Sequence, residues 1–185
     1  MAHSVCPWWL GYLLVSPLRR LRQDPRKILS PHGSEGVTVI EPGCGMGFFT
    51  LELARLVGPR GKVVAIDIQP KMLAGLRRRA AKAGLADRID TRLADARGLG
   101  IDDLSGAADF ALAFAMVHEL PDHARFFAEI ARALKLGGKL LLAEPRGHVN
   151  GMDFASTLAL AEKAGLRVAG RPTIPASLSA VLERA

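Results

Sequence analysis

From residue 37 onward the chain alternates short apolar runs with longer amphipathic stretches, and this alternation restricts the fold more than any other feature of the sequence. Short apolar runs suit strands that are buried on both faces, and stretches with apolar residues three or four positions apart suit helices. Strands that alternate with helices form βαβ units, in which a helix connects two parallel strands. The sequence therefore predicts an α/β fold built on a parallel sheet.

The pattern predicts seven strands, and glycine or proline residues mark the ends of most of the helices. The first five strands are expected at 37–41, 62–67, 89–94, 108–115 and 139–144. Helices are expected at 47–57, 70–83, 121–136 and 153–164. The mixed polarity of the third strand favours a position near the edge of the sheet. The last two strands, 167–171 and 177–183, are too close in sequence for a helical crossover, so they predict an antiparallel hairpin.

The N-terminal residues up to 36 contain no predicted strand. Ser16-Pro17 and Asp24-Pro25 each place a capping side chain before a proline that fits the first position of a helix. We expect two short helices here. Residues 1–36 are therefore interpreted as a helical N-terminal segment and residues 37–185 as the ligand-binding part, within one domain overall.

Charge, hydropathy and cysteine content limit the partners and the cellular location that we expect for the chain. The formal net charge is +7, and basic residues gather within 19–27 and within 77–82. Such clusters attract nucleic acid, anionic lipid or a phosphorylated substrate, but they also occur on solvated helix faces, and the sequence leaves these alternatives open. The apolar run 6–15 is shorter than the roughly 20 residues of a membrane span and lacks the basic start of a signal peptide. Cys6 and Cys44 suggest no disulfide framework, so we expect a cytoplasmic protein.

A glycine-rich turn, Glu-Pro-Gly-Cys-Gly-Met-Gly at 41–47, joins the first strand to the first helix. Gly43, Gly45 and Gly47 let the backbone turn sharply and approach a ligand closely. Asp67 ends the second strand, where a carboxylate can accept hydrogen bonds from both hydroxyls of a ribose. Open α/β sheets bind ligands at the carboxyl ends of their strands. The turn and the acid together predict a cofactor that contains a nucleoside.

Two residues favour a methyl donor over a dinucleotide. The dinucleotide fingerprint needs a small residue at position 48, where this chain has Phe48. Glu41 would repel a pyrophosphate, whereas it would attract the cationic amino group of S-adenosylmethionine. An NAD-linked oxidoreductase is further disfavoured because Tyr12, the single tyrosine of the sequence, is not part of a Tyr-x-x-x-Lys pair.

The turn at 41–47 resembles motif I of class I S-adenosylmethionine-dependent methyltransferases, and the resemblance extends over residues 37–184. The segments 64–67 and 93–96 resemble the strands that carry the ribose-binding acid and the adenine-binding acid of that family. The C-terminal hairpin is similar to its reversed seventh strand. The resemblance implies a Rossmann-like, doubly wound sheet of order 3-2-1-4-5-7-6, with strands 1–5 parallel and helices on both faces. It also implies methyl transfer from S-adenosylmethionine, with S-adenosylhomocysteine as product.

The resemblance assigns cofactor roles to named residues. The three glycines would line the methionine and ribose, Asp67 would bind the ribose, and Ile68 would pack on the adenine. Asp95 and Ala96 would hold the adenine edge, and Phe114 and Ala115 would face the donor near its sulfonium. With Glu41 against the amino group, these residues form the predicted cofactor site.

The acceptor side is predicted from position and chemistry. His118 and Glu119 follow the fourth strand, where methyltransferases of this fold bind their acceptor, and His118 titrates near neutral pH. His118 is interpreted either as a general base or as a structural residue. Trp8, Trp9 and Tyr12 form an aromatic cluster that would serve as a lid over the pocket, pack on the domain, or touch a membrane or partner surface. No cysteine or histidine has metal-ligand spacing, so no metal is expected.

We therefore predict an S-adenosylmethionine-dependent methyltransferase that acts on a small molecule. A nucleic-acid (RNA) methyltransferase would use the basic clusters, although no base-clamping motif such as Asn-Pro-Pro-Tyr is present. A binding module that holds the cofactor without catalysis is the other alternative. The oligomeric state and the acceptor are not specified by the sequence.

Overall fold

The computed structural model of the chain describes residues 7–9, 11, 15–95 and 98–185. The predictions that concern Cys6, Tyr12 and Ala96 lie outside these residues. The chain divides into two compact units, one between residues 6 and 100 and the other containing residues 101–185. Within the described residues, no helix combines the length and apolar character that a membrane crossing requires.

A seven-stranded sheet forms the centre of the fold, with strand order β3-β2-β1-β4-β5-β7-β6. The strands are β1 (Thr38–Pro42), β2 (Lys62–Asp67), β3 (Ile89–Leu93), β4 (Ala108–Phe114), β5 (Leu134–Pro145), β6 (Leu166–Gly170) and β7 (Ser177–Arg184). β2 pairs in parallel with β1 and β3, and β4 pairs in parallel with β5. β7 pairs in antiparallel fashion with β5 and β6. The predicted Rossmann-like order and the C-terminal hairpin are confirmed, and β3 lies at a sheet edge as expected.

The unit between residues 6 and 100 contains β1 to β3 and four described helices. These are α1 (Pro17–Arg20), α2 (Pro25–Leu29), α3 (Thr50–Leu56) and α4 (Pro70–Lys82). The two predicted N-caps are present: the Ser16 side chain accepts a hydrogen bond from the Leu18 amide, and that of Asp24 from the Arg26 amide. From Val63 onward every residue of β2 is buried, which agrees with a strand covered on both faces.

The unit containing residues 101–185 holds β4 to β7 with helices α5 (His123–Ala133) and α6 (Gly151–Lys163). Asp122 caps α5, and Asn150 caps α6 by accepting hydrogen bonds from the Met152 and Asp153 amides. The central residues of β4 and β5 are aliphatic and fully buried, so these strands carry the core of this unit.

Two predicted helix boundaries are wrong by three residues, and α5 and α6 each start two residues from the predicted position, after their caps Asp122 and Asn150. α3 begins at Thr50 rather than at residue 47, because Gly45 and Gly47 have positive φ angles that a right-handed helix excludes. α5 ends at Ala133 rather than at residue 136, since Leu134 is already extended and pairs with Ala108 of β4. β5 therefore starts before the two glycines that were expected to end the helix.

Candidate active site

The glycine-rich turn follows β1 and reaches toward β2. The Cys44 amide donates to the Ile66 carbonyl at 3.0 Å, and the Gly47 amide donates to the Cys44 carbonyl at 3.0 Å. Gly47 has φ +82°, and a Cβ added there would collide with the Leu76 side chain of α4. A Cβ added at Gly45 would meet no described atom within 4 Å. The turn thus packs tightly on α4 at Gly47. At Gly45 it leaves open space, which a ligand needs in order to approach the backbone closely.

Asp67 connects the end of β2 to this turn. Its Oδ2 accepts a hydrogen bond from the Gly45 amide at 2.8 Å, and its Oδ1 accepts one from the Gln69 amide at 2.9 Å. Burial raises the pKa of Asp67, and the backbone hydrogen bonds from residues 69, 45 and 68 oppose that shift. A carboxylate offers about four acceptor sites, so the hydrogen bonds from residues 69, 45 and 68 leave about one of them unused. Asp67 therefore fixes the turn and still has acceptor capacity for a ligand hydroxyl.

Glu41 is a buried carboxylate beneath the turn. Among the described residues, neither its Oε2 nor the Oγ1 of Thr50 makes a hydrogen bond of normal geometry. Burial raises the pKa of Glu41 to about 8; the nearby Thr50 hydroxyl lowers it, the Asp67 charge adds to the rise, and the Arg19 charge opposes it. A buried polar atom without a partner is costly. A ligand ammonium group would satisfy it, so the residues present fit the amino group of the predicted cofactor.

The predicted adenine contacts are exposed. Ile68 is 52% exposed although it is apolar, and it directly follows the ribose acid candidate. Asp95 is also exposed, and its backbone forms a small bridge with Gly98, with amide-to-carbonyl distances of 3.3 and 3.2 Å. Both positions lie at the carboxyl ends of β2 and β3, in agreement with the ligand-binding edge of such sheets.

The described part of the N-terminal segment contacts the turn and α4. The Lys71 ammonium lies 4.4 Å from the centre of the Trp8 ring. A Cβ added at Gly11 would lie 2.7 Å from the sulfur of Met72 and 3.0 Å from the terminal methyl of Met46. Trp9 is 58% exposed. Trp8 thus lies next to the start of α4, Trp9 is largely exposed, and Tyr12 falls outside the described residues.

Arg19 of α1 adds a further contact between the N-terminal segment and the turn. Its guanidinium lies 4.3 Å from the Phe48 ring centre and 5.6 Å from that of Phe49. Phe48, which argued against a dinucleotide, is therefore a buried cation–π partner.

In the unit containing residues 101–185, β4 leads into a tight turn. Phe114 is buried at the end of the strand, and Ala115 follows with φ +55°, a left-handed conformation that a non-glycine residue rarely adopts. The Ala115 amide donates to the Ala143 carbonyl at 2.7 Å. Residues Val117–Glu119 then form a 3₁₀ turn that carries His118 and Glu119.

Glu144, at the end of β5, holds this turn. It was not predicted from the sequence as a site residue. Its Oε1 accepts hydrogen bonds from the Met116 amide at 3.3 Å and the Val117 amide at 3.0 Å. Its Oε2 accepts one from the His118 amide at 3.4 Å and contacts His118 Nδ1. The signal that identified Asp67, an acid that ends an apolar strand, also applies to Glu144.

His118 lies between two carboxylates and a second histidine. Its Nε2 is 4.0 Å from Glu119 Oε1, and its ring centre is 5.2 Å from that of His148. The hydrogen bond with Glu144 raises the pKa of His118; burial opposes this, and the charges of Glu144 and Glu119 add to the rise. The arrangement resembles the carboxylate–histidine pairs that hold an imidazole in one orientation for proton transfer.

Metal and thiol chemistry receive no support from the described part of the chain. No group of three or more histidine, cysteine, aspartate or glutamate side chains there is placed to hold a metal ion. Cys44 is a buried free thiol, and burial raises its pKa well above the usual value, so it stays protonated.

Comparisons with known proteins show which family and which fold the chain is similar to. A family model described as a methyltransferase domain matches residues 33–166. The ubiquinone biosynthesis O-methyltransferase of Methylocella silvestris is 32% identical over 158 residues, which cover 83% of this chain and 58% of that protein. The ubiquinone/menaquinone biosynthesis C-methyltransferase of Hahella chejuensis is 35% identical over 109 residues, covering 59% of this chain and 43% of that protein.

A solved structure is similar over nearly the whole chain. The S-adenosylmethionine-dependent methyltransferase from Aquifex aeolicus superposes with a TM-score of 0.87 at 24% identity, covering 98% of this chain and 100% of the other. At this identity the likeness supports the fold. The chain spans about half the length of the two curated relatives, at 58% and 43%.

Proposed function

The chain belongs to the methyltransferase domain family, as the sequence resemblance predicted, and on this premise we propose that it methylates a small molecule with S-adenosylmethionine as donor. The observation that carries the proposal is the buried Glu41 carboxylate, whose Oε2 is without a hydrogen bond among the described residues, beside a glycine turn anchored by Asp67. The Glu41 carboxylate suits the ammonium group of an amino acid, and Asp67 suits the ribose of a nucleoside. S-adenosylmethionine contains both groups.

Three residues of the unit between residues 6 and 100 would hold the donor. Glu41 would receive its ammonium group, Asp67 would accept hydrogen bonds from its ribose hydroxyls, and the exposed Ile68 side chain would cover one face of its adenine. The bound donor supplies a methyl group on a positively charged sulfur. Because the transfer removes charge rather than creating it, the protein mainly has to position the acceptor, which can contribute roughly 7–11 kcal/mol.

A small-molecule acceptor is supported by the relatives, whose names specify quinone biosynthesis. His118 is proposed as the general base of this reaction, since it is held by a buried carboxylate and remains partly accessible. Glu119 is proposed to line the same acceptor site. Trp8 and Trp9 are proposed as part of a lid, because Trp8 adjoins Lys71 in the first turn of α4 and the neighbouring Trp9 is largely exposed.

The proposal is tested by binding and turnover on the intact chain. Calorimetry should detect binding of S-adenosylhomocysteine and no binding of NAD. Turnover is then measured as S-adenosylhomocysteine release with a panel that contains a catechol, a phenol, a secondary amine and a short RNA. Tight NAD binding would contradict the cofactor assignment. Turnover with RNA alone would favour the nucleic-acid alternative, and donor binding without turnover would favour a binding module.

A further inference from the structure

The buried carboxylate of Glu144 contacts a single short turn, the one at residues 116–118. It is 2% exposed and follows the buried run Leu140–Ala143. A carboxylate buried among aliphatic side chains is costly unless it is hydrogen-bonded. The partners of Glu144 given above all belong to three consecutive residues, 116–118. The free energy cost of burying this carboxylate is therefore offset by contacts that fix the backbone and the side chain of His118.

The backbone of the same turn is strained. Ala115 adopts φ +55°, and such conformations persist only when the surroundings impose them. Here the surroundings are the Ala143 carbonyl, which accepts from the Ala115 amide, and the Glu144 carboxylate, which accepts from the three following amides. β5 thus determines the direction in which the turn after β4 presents its side chains.

The contact with Glu144 determines which ring nitrogen of His118 carries hydrogen. An ionised carboxylate only accepts hydrogen bonds, so Nδ1 must donate. In the neutral imidazole the lone pair is then on Nε2. Among the described residues, the charged or titratable groups that face this ring are Glu144 from β5, Glu119 from the 3₁₀ turn and His148 from the loop after β5. Oε1 of Glu119 lies 4.0 Å from Nε2, beyond hydrogen-bond distance.

We propose that Glu144 is a positioning residue that makes Nε2 of His118 a proton acceptor, and that the methyl acceptor is therefore a compound whose nucleophilic oxygen or nitrogen carries a proton. This inference rests on the proposed methyl transfer and specifies the substrate class of that reaction. It distinguishes hydroxyl and N–H acceptors from nucleophiles that carry no proton, such as a tertiary amine or a thioether. A base cannot assist methylation of these, because there is no proton to remove.

The proposed step is balanced in atoms and charge. The lone pair on Nε2 takes the proton of the acceptor hydroxyl or N–H, while the oxygen or nitrogen forms a bond to the donor methyl carbon. The carbon–sulfur bond breaks, and its electron pair stays on sulfur. The positive charge lost from the donor appears on the imidazolium, beside the carboxylate of Glu144, and the proton then passes to solvent.

The first test measures tautomer and protonation without any acceptor. Long-range proton–nitrogen NMR of the intact protein, with His118→Gln to assign the signal, should show hydrogen on Nδ1 of neutral His118. Glu144→Gln should lower the His118 pKa and move hydrogen to Nε2, because a glutamine amide can donate to Nδ1. Hydrogen on Nε2 in the wild-type protein would overturn the proposal, as would a His118 pKa unchanged in Glu144→Gln.

The second test measures turnover with catechol as the hydroxyl probe and a tertiary amine as the probe without a proton. Glu144→Gln should slow catechol methylation at least about 10-fold and move its pH profile, since general-base catalysis contributes roughly 100-fold or more. Glu144→Asp should recover part of the rate. Glu183→Gln, which alters a half-exposed acid of β7 paired with Lys139 of β5, is the matched control and should leave the rate unchanged.

The outcomes separate this inference from the function on which it rests. Affinity for S-adenosylhomocysteine reports whether Glu144→Gln is folded and should match the wild-type protein. If the wild-type protein turns over neither probe nor any member of the panel, the proposed function fails. If it turns over catechol and Glu144→Gln keeps the wild-type rate and pH profile, or if the tertiary amine is the sole acceptor, this inference fails and the function stands.

Discussion

The protonation of Glu41 gives the sharpest prediction for donor binding. Its pKa is raised to about 8 by burial, so about nine tenths of the unliganded molecules carry the proton at pH 7. An ammonium ligand needs the ionised form. Binding should therefore release about 0.9 proton at pH 7, and affinity should rise about 10-fold, or about 1.4 kcal/mol, between about pH 6 and pH 7.

The same pKa has the opposite consequence for the stability of the unliganded protein. An exposed glutamate ionises near pH 4.5, so between that pH and about 8 the folded state holds a proton that the unfolded state has released. Stability therefore falls as pH rises through this range, by on the order of 3 kcal/mol at pH 7. Glu41→Gln should remove this penalty and raise the melting temperature at pH 7, with no gain near pH 4.

Glu41→Gln should at the same time weaken S-adenosylhomocysteine binding by about 10-fold or more, because a charged hydrogen bond is lost. Calorimetry in two buffers of different ionisation enthalpy measures both the affinity and the released protons. Glu35→Gln, which changes an exposed acid paired with Arg60, is the control. Affinity independent of pH in the wild-type protein, or a lower melting temperature of Glu41→Gln at pH 7, would refute the role assigned to Glu41.

Three further predictions concern the other site residues. Asp67→Ala should weaken S-adenosylhomocysteine binding about 10- to 100-fold in calorimetry, since hydrogen bonds to charged groups contribute about 1.5–3 kcal/mol; equal affinity would remove Asp67 from the site. His118→Ala should lower kcat about 100-fold with unchanged donor affinity. The activity of the wild-type protein should decline on acidification through a pKa above the usual value of histidine. An unchanged rate of His118→Ala at saturating acceptor would make His118 structural. If residues 1–15 are part of a lid, their deletion should reduce turnover more than donor affinity. Equal turnover per folded molecule in the intact and the shortened protein would exclude a lid. Vesicle binding by the intact protein that the shortened protein loses would indicate a membrane contact.

Elements with a strong local pattern were predicted well. β2 has the predicted bounds because its apolar run is continuous and ends in an acid, and α4 begins at its proline as expected. Asp67 was predicted as a ribose ligand because it ends such a run. Local pattern dominates wherever a segment is buried on both faces or carries its own start signal.

The remaining features depend on contacts between distant residues. The end of α5 was missed because pairing of Leu134 with Ala108 outweighs the helical pattern of the preceding residues. The function of Glu144 depends on the turn at 116–118, and the raised pKa of Glu41 depends on burial that no local pattern specifies. A sequence pattern can therefore propose candidate site residues, whereas the partners that shift their pKa or fix their orientation are visible only in the structure.

The packing around Met46 limits which residues can replace one another in proteins of this kind. Gly75 lies within α4, where alanine would ordinarily favour the helix by about 1 kcal/mol. A Cβ at that position would lie 2.8 Å from Cγ of Met46, and one at Gly11 would lie 3.0 Å from its terminal methyl. Both glycines therefore provide the volume that one methionine fills. In related sequences a larger residue at either glycine should occur together with a smaller residue at the methionine, so that these three positions change as a set.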